Sequence, residues 1–186
     1  MIKKMRGFTL IELLIVVAII GILAALLIPN ALAAMQKAKQ KSAMKEIMTM
    51  STAAADYITD HGDWTGIANP GGAAMATGAG TFPTELGSFY VKTIPIYDPW
   101  NGHYRVWLGD NPGDYCAAAT DDFGVDDFVI ASTGRDQAPG TLVYDPATPT
   151  AGFYPVQGMT SFDNDLVAWG GNWVIGPRTN VGASGS

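Results

Sequence analysis

The sequence predicts an α+β fold in which one long amino-terminal helix packs on a small antiparallel sheet. Three observations lead there. Phe8–Ile28 is almost wholly apolar and holds a single charge, Glu12. The pattern then turns amphipathic: Met44, Ile47, Ser51, Ala54 and Ile58 recur at spacings of three and four, one face of a helix. After residue 61 the chain breaks into short alternating segments divided by Gly-, Pro- and Asp-rich turns, the signature of strands.

Composition narrows the function classes. A chain of 186 residues suits one domain with an appendage. One cysteine, Cys116, excludes an internal disulfide framework and a multi-cysteine metal cage. A net charge of −6 argues against a nucleic-acid groove, which needs clustered Lys and Arg. The charge is also unevenly spread. Residues 1–45 carry seven basic side chains and one acid, a balance of +6; residues 46–186 carry four basic side chains and sixteen acids, a balance of −12. A basic, apolar front end precedes an acidic, soluble remainder.

Taken in order, Met1–Gly7 is a short cationic start with Lys3, Lys4 and Arg6. From Leu13 to Met35 no residue is charged, and about 20 apolar residues cross a bilayer core as a helix. Three readings of this stretch compete. A secretory signal peptide fits the basic start and the Ala31-Leu32-Ala33 cleavage-like site, but the apolar run exceeds the usual 7–15 residues. A plain membrane anchor leaves Glu12 unexplained, since an acid at the centre of a membrane helix costs roughly 2.5–3.5 kcal/mol. In the third reading the segment leaves the bilayer and packs with copies of itself, so that Glu12 meets a positive partner. Pro29 lacks an N–H and frees the carbonyl of Ala25, while Gly21 weakens the helix by about 1 kcal/mol relative to Ala. Between them lies a segment that could kink or melt as subunits pack.

The Gly7-Phe8-Thr9-Leu10-Ile11-Glu12 run, with a basic leader before it and an apolar helix after it, resembles a type IV prepilin signal. The resemblance implies cleavage by prepilin peptidase between Gly7 and Phe8, N-methylation at Phe8, and pairing of Glu12 with the terminal ammonium of a neighbouring subunit. Gly21 and Pro29 fall where members of that family carry their helix-weakening residues. The expected organisation is a leader at 1–7, a helix over about 8–60 whose part 8–30 serves as transmembrane segment and filament core, and a globular head over 61–186. Such a helix is roughly 80 Å long at 1.5 Å per residue. His61-Gly62-Asp63 supplies its stop, with Gly62 at the C′ position.

In the head, residues 62–82 read as an irregular loop and Pro83–Leu86 as a short helix. Tyr104–Leu108 reads as a strand, Asp110–Gly113 as a turn, Tyr115–Ala119 as a return strand, Asp127–Ser132 as a further strand and Asn172–Ile175 as a last one. Trp100, Trp107 and Trp169 read as core. His61 and His103 form no triad or metal spacing, so no catalytic constellation is present and the chain is not expected to be an enzyme; a membrane-anchored hydrolase lacks its residues. The cluster from Asp121 to Asp127 lacks EF-hand spacing and reads as a polar turn.

The head carries a second resemblance. Asp98-Pro99-Trp100-Asn101-Gly102-His103-Tyr104 is similar to a DPWGNPY segment of type II secretion major pseudopilins, with Asn and Gly exchanged and His for Pro. Ser132–Thr141 resembles that family's S-x-G-x-DG-x-x-GG loop, and Asp163-Asn164-Asp165-Leu166 with Trp169 its D-x-D-I-x-x-W ending; residues 142–161 look like an insertion. The likeness implies calcium held by Asp136 and Asp163, with Asp165 as a third carboxylate and Ser132 or Thr133 adding a carbonyl; calcium takes six to eight oxygens. It also implies a pilin-like fold and a structural subunit of a homo-oligomeric helical pseudopilus. By the same likeness the subunit is expected to be membrane-stored with its head in the periplasm, and to work with minor pseudopilins and an inner-membrane assembly platform. The alternative is a type IV pilin of a surface pilus, although those usually carry a carboxy-terminal disulfide. A secreted calcium lectin with a cleaved signal is a further outsider.

Overall fold

The computed structural model describes residues 8–109, 123–140, 144–145 and 147–178. The expected turn at Asp110–Gly113, the strand Tyr115–Ala119, Cys116, Asp121 and Asp122 lie outside them, as does the leader through Gly7. The chain divides into two units, 1–36 and 37–186. Helix α1, Leu10–His61, contributes to both.

In the first unit α1 presents apolar side chains on every side. Leu10, Ile11, Leu13, Leu14, Ile20, Leu26 and Ile28 are all exposed. Its most apolar 18-residue window has a mean hydropathy of 3.1, and it is the one helix among the described residues long and apolar enough to cross a membrane. Pro29 sits inside the helix, which runs on past it.

In the second unit α1 buries Gln40, Ala43, Ile47, Met50, Ser51, Ala53, Ala54 and Tyr57. The expected face is therefore the buried one, with Met44 and Ile58 packed at its margin. Ala43, Ala53 and Ala54 keep that face shallow, so a sheet can lie close to it. The helix stops where Gly62 turns to φ +85° and its N–H donates to the Ile58 carbonyl at 2.7 Å; glycine takes this left-handed conformation without strain. A short α2, Phe82–Leu86, follows, with Pro83 in its first turn.

The sheet has five strands: β1 Arg105–Leu108, β2 Phe128–Ser132, β3 Phe153–Tyr154, β4 Leu166–Trp169 and β5 Asn172–Pro177, in the order β1-β2-β4-β5-β3. The first four in that order pair antiparallel. Alternation assigns the faces. Val106, Leu108, Phe128, Ile130, Leu166 and Ala168 join the helix in the main core. Trp107, Val129, Ala131, Val167 and Ile175 fill a second, smaller cluster on the other face. Trp100 and Trp107 are buried as expected, and Trp169 packs at the edge of the second cluster.

Two features depart from the expectation. The sequence pattern predicts no strand at β4, and the sheet is not wholly antiparallel, because β3 pairs with β5 in parallel. The stretch read as an insertion thus supplies an edge strand, Phe153–Tyr154. The reason is a close approach at Gly152, where any Cβ would collide with the Val174 carbonyl; its own carbonyl accepts from Gly176 at 3.2 Å. Only glycine lets the two backbones meet there.

Polar side chains fasten these elements. Tyr104 is fully buried and donates to Glu46 on α1 at 2.7 Å; burial, then the bond to Glu46, push its phenol far above its ordinary pKa, so it stays a donor. Asp98 is 5% exposed. Its Oδ1 accepts the N–H groups of Trp100 at 3.0 Å and Gly102 at 2.8 Å, and its Oδ2 accepts the Ser132 hydroxyl at 2.6 Å. The DPWNG turn is thereby locked to the end of β2. Asn101 occupies its left-handed position at φ +70°, a conformation that Asn tolerates better than most residues. Replacing Asp98 by Ala leaves two buried N–H groups and a hydroxyl without this acceptor. We expect Asp98→Ala to cost about 3 kcal/mol, near the upper range for ordinary substitutions, and Asp98→Asn to cost less. Urea unfolding of the full-length protein in detergent, followed by Trp fluorescence, measures it.

Candidate functional site

The amino-terminal segment is built by a local device. Helix α1 begins at Leu10, so Thr9 is its N-cap and Glu12 stands three residues on. The Thr9 backbone N–H and hydroxyl donate to Glu12 Oε2 at 2.9 and 2.7 Å, and the Glu12 N–H donates to Thr9 Oγ1 at 3.3 Å. This is a capping box: it satisfies two orphan donors and sets the carboxylate against the positive end of the helix dipole. The Thr-x-x-Glu spacing before an apolar run carries that signal in the sequence. Treating Glu12 only as an acid in need of another subunit overlooks it. Phe8 is 77% exposed. Gly21 lies in open space, where an added Cβ would meet nothing within 4 Å, and Pro29 is exposed on the helix surface. Packing within the single chain therefore occupies neither position.

The acidic loop is the second candidate. Gly134 at φ +68° lies so close to the neighbouring loop that a Cβ would stand 2.9 Å from the Phe162 carbonyl and 2.8 Å from that of Asn164. The Arg135 N–H donates to the Phe162 carbonyl at 2.8 Å. The two segments that carry the second resemblance are thus in contact, through Gly134 and Arg135 on one side and residues 162–164 on the other. Their carboxylates do different things. Asp163 is forked onto Arg135, with Nε–Oδ1 at 2.7 Å and Nη2–Oδ2 at 2.9 Å. That bond holds the guanidinium above its ordinary pKa. Asp136 closes a local turn by accepting the Ala138 N–H at 3.1 Å at an exposed position. Asp165 is buried and its Oδ2 accepts the Gly140 N–H at 2.8 Å. Ser132 Oγ points to Asp98, and Thr133 is buried beside it.

Among the described residues, no group of three His, Cys, Asp or Glu side chains is gathered for a metal ion. As placed, Asp136, Asp163 and Asp165 do not make the cage of oxygens that calcium takes. The cation facing Asp163 is a guanidinium. Arg135 falls on the variable position of the loop pattern, so nothing in that pattern marks it.

The end of the second acid cluster and the two histidines have structural partners. Asp127 accepts the Trp169 indole N–H at 2.9 Å and the Gly124 N–H at 2.8 Å, so the end of the second acid cluster is a turn that anchors a tryptophan. His61 and His103 each bond a backbone carbonyl, those of Tyr57 and Met75, at 3.1 Å.

Comparison with known proteins bears on both regions. The prokaryotic N-terminal methylation motif matches residues 2–28. The type II secretion system core protein G of Escherichia coli K12 is 33% identical over 142 residues, 74% of this chain and 87% of the relative. Its counterpart in Vibrio cholerae is 32% identical, over 75% of this chain and 90% of the relative. The type IV major pilin PilA of Myxococcus xanthus is 44% identical, but over only 39% of this chain and 33% of the pilin. No solved structure matches. The core protein G likeness spans most of both chains, so it takes in sheet residues as well as the helix, and by it the chain belongs to the core protein G family of type II secretion systems.

Proposed function

We propose that this chain is the major structural subunit of a periplasmic pseudopilus in type II protein secretion. In this reading the leader is removed between Gly7 and Phe8 and the new terminus is methylated. The subunit then waits in the inner membrane as a single-pass protein with its head in the periplasm. Assembly with copies of itself, minor pseudopilins and an inner-membrane platform moves the apolar part of α1 from lipid into a filament. The coverage of core protein G relatives across nearly their whole length carries the reading. A surface pilin is the alternative, supported by likeness over about a third of such a protein; a single cysteine supplies no disulfide for its head. The chain's role is structural, and no step of catalysis is assigned to it.

Glu12 does the positioning. Its Oε2 is committed to Thr9, which fixes the carboxylate at the start of the helix. In a filament the ammonium of Phe8 on the adjacent subunit meets this carboxylate in a medium of low dielectric, where the attraction far exceeds its value in water. Deletion of the protein should leave exoproteins in the periplasm without loss of surface pili; lost pili with intact secretion would make it a pilin. Glu12→Ala should stay membrane-bound with a folded head, yet yield about tenfold fewer filaments, the effect of ~1.4 kcal/mol per contact. Wild-type filament yield would remove the pairing.

Calcium belongs to the proposal in a restricted form. Any Ca²⁺ at this loop needs the oxygens of Asp163, which Arg135 holds, so metal and guanidinium compete. The full-length protein in detergent should melt at the same temperature in chelator and in millimolar calcium. In Arg135→Gln, calcium at a hundredfold excess over its Kd should add about 2.7 kcal/mol, and magnesium should not substitute. For a domain of this size that is a rise of roughly 5–10 °C. A wild-type melting temperature that falls in chelator would overturn the competition, because calcium would then be bound with Arg135 in place.

A further inference from the structure

A cavity of about 350 Å³ in the head unit is lined by Lys37, Gln40 and Lys41 on α1, by Val156, and by Pro177 and Arg178 at the end of β5. It has a charged side and an apolar side. No acid lines it, and among the described residues the sole ion pair is Arg135–Asp163, so Lys37, Lys41 and Arg178 face it without carboxylate partners. The framework is fixed. The Arg178 N–H donates to the Tyr154 carbonyl at 2.9 Å, its guanidinium lies over the Phe153 ring at 5.3 Å, and buried Gln40 reaches the Tyr154 hydroxyl at 3.5 Å. Pro155 and Val156, just after the inserted strand β3, thus build one wall.

Two facts of sequence say what chemistry suits it. The uncharged run Leu13–Met35 is 23 residues, about 35 Å of helix, against a hydrocarbon core of ~30 Å. Lys37 and Lys41 follow at the level where headgroups lie. Lysines also normally collect on the cytoplasmic flank of a span; here Lys37, Lys39, Lys41 and Lys45 outnumber Lys3, Lys4 and Arg6 on the leader side. Four cations on the flank that is translocated run against that bias, so they call for an anion there.

We propose that this cavity binds the phosphodiester headgroup of an anionic phospholipid. Lys37, Lys41 and Arg178 take the phosphate, and Val156 and Met44 pack against the glycerol and first methylenes. The inference rests on the membrane-stored state described above. Its test needs neither filaments nor secretion, so its failure leaves the assembly reading standing.

The full-length protein in neutral detergent is given phosphatidylglycerol or phosphatidylcholine, and retained lipid is counted by native mass spectrometry. The expected result is one phosphatidylglycerol per chain, retained at least about tenfold more than phosphatidylcholine, a preference of ~1.4 kcal/mol. Lys37→Gln with Lys41→Gln should abolish the preference, as should Arg178→Gln. Lys39→Gln with Lys45→Gln changes the net charge equally on the same helix and should preserve it. Equal retention of the two lipids, or equal loss in both lysine pairs, overturns the site. Displacement of the lipid by millimolar inorganic phosphate overturns the assignment to lipid in favour of a free anion. Circular dichroism of each variant confirms that the helix and sheet persist.

Discussion

The exposed apolar surface of the first part of α1 is the constraint on which the rest depends. Leu10 through Met35 turns large side chains outward on all sides, and 23 successive residues lack a charge. No head of about 125 residues supplies cover for such a cylinder, and water does not tolerate it. Lipid or other apolar helices have to accept it. A helix also satisfies its backbone internally, so it can exchange one apolar surrounding for another without exposing hydrogen-bonding groups. Storage in a membrane and assembly through the helix are then two solutions of one problem. In the proposed assembly Glu12 distinguishes them, since an acid gains more from a cation in a bundle than from hydrocarbon.

The head solves a different problem: it is rich in glycine and turns and has no disulfide. Carboxylates do the fastening. Asp98 gathers two N–H groups and a hydroxyl from the DPWNG turn and β2. Asp127 anchors Trp169 to the opposite turn. Tyr104 and Glu46 join the approach to β1 with the helix. Each carboxylate accepts from donors that would otherwise be stranded, which is worth more than a surface ion pair of about 0–1 kcal/mol. The Arg135–Asp163 fork is partly exposed, with side chains 33% and 26% accessible, so its value lies in closing the loop geometry more than in raw stability.

Much of this is legible in the residues. The helical face at Met44, Ile47, Ser51, Ala54 and Ile58 carries a 3.6-residue period, and the structure buries or packs each of them. Alternation over Tyr104–Leu108 marks β1, and the apolar run with β-branched Val129 and Ile130 marks β2. β4, Leu166–Trp169, escapes because its four apolar residues show no alternation and include a single β-branched residue, Val167. β3 escapes because two residues carry no period; only Gly152, which permits the approach to Val174, marks it. Partners are harder to read than elements. The aspartates at 136, 163 and 165 share a charge but not an environment, and sequence does not tell a turn-closing carboxylate from one held by an arginine 28 residues away. The capping box at Thr9 and Glu12 is readable by spacing, yet the apolar run around it points to distant partners instead.

The central claim is that the first residues are remade into an assembly terminus: a free, methylated amine at Phe8 placed four residues before Glu12. The intact mass of the protein extracted from membranes tests it most directly. Removal of seven residues from 186 leaves 179, and the account predicts that mass plus one methyl group, located by fragmentation on the nitrogen of Phe8. A chain that retains Met1, or one cut near Ala33, would contradict it.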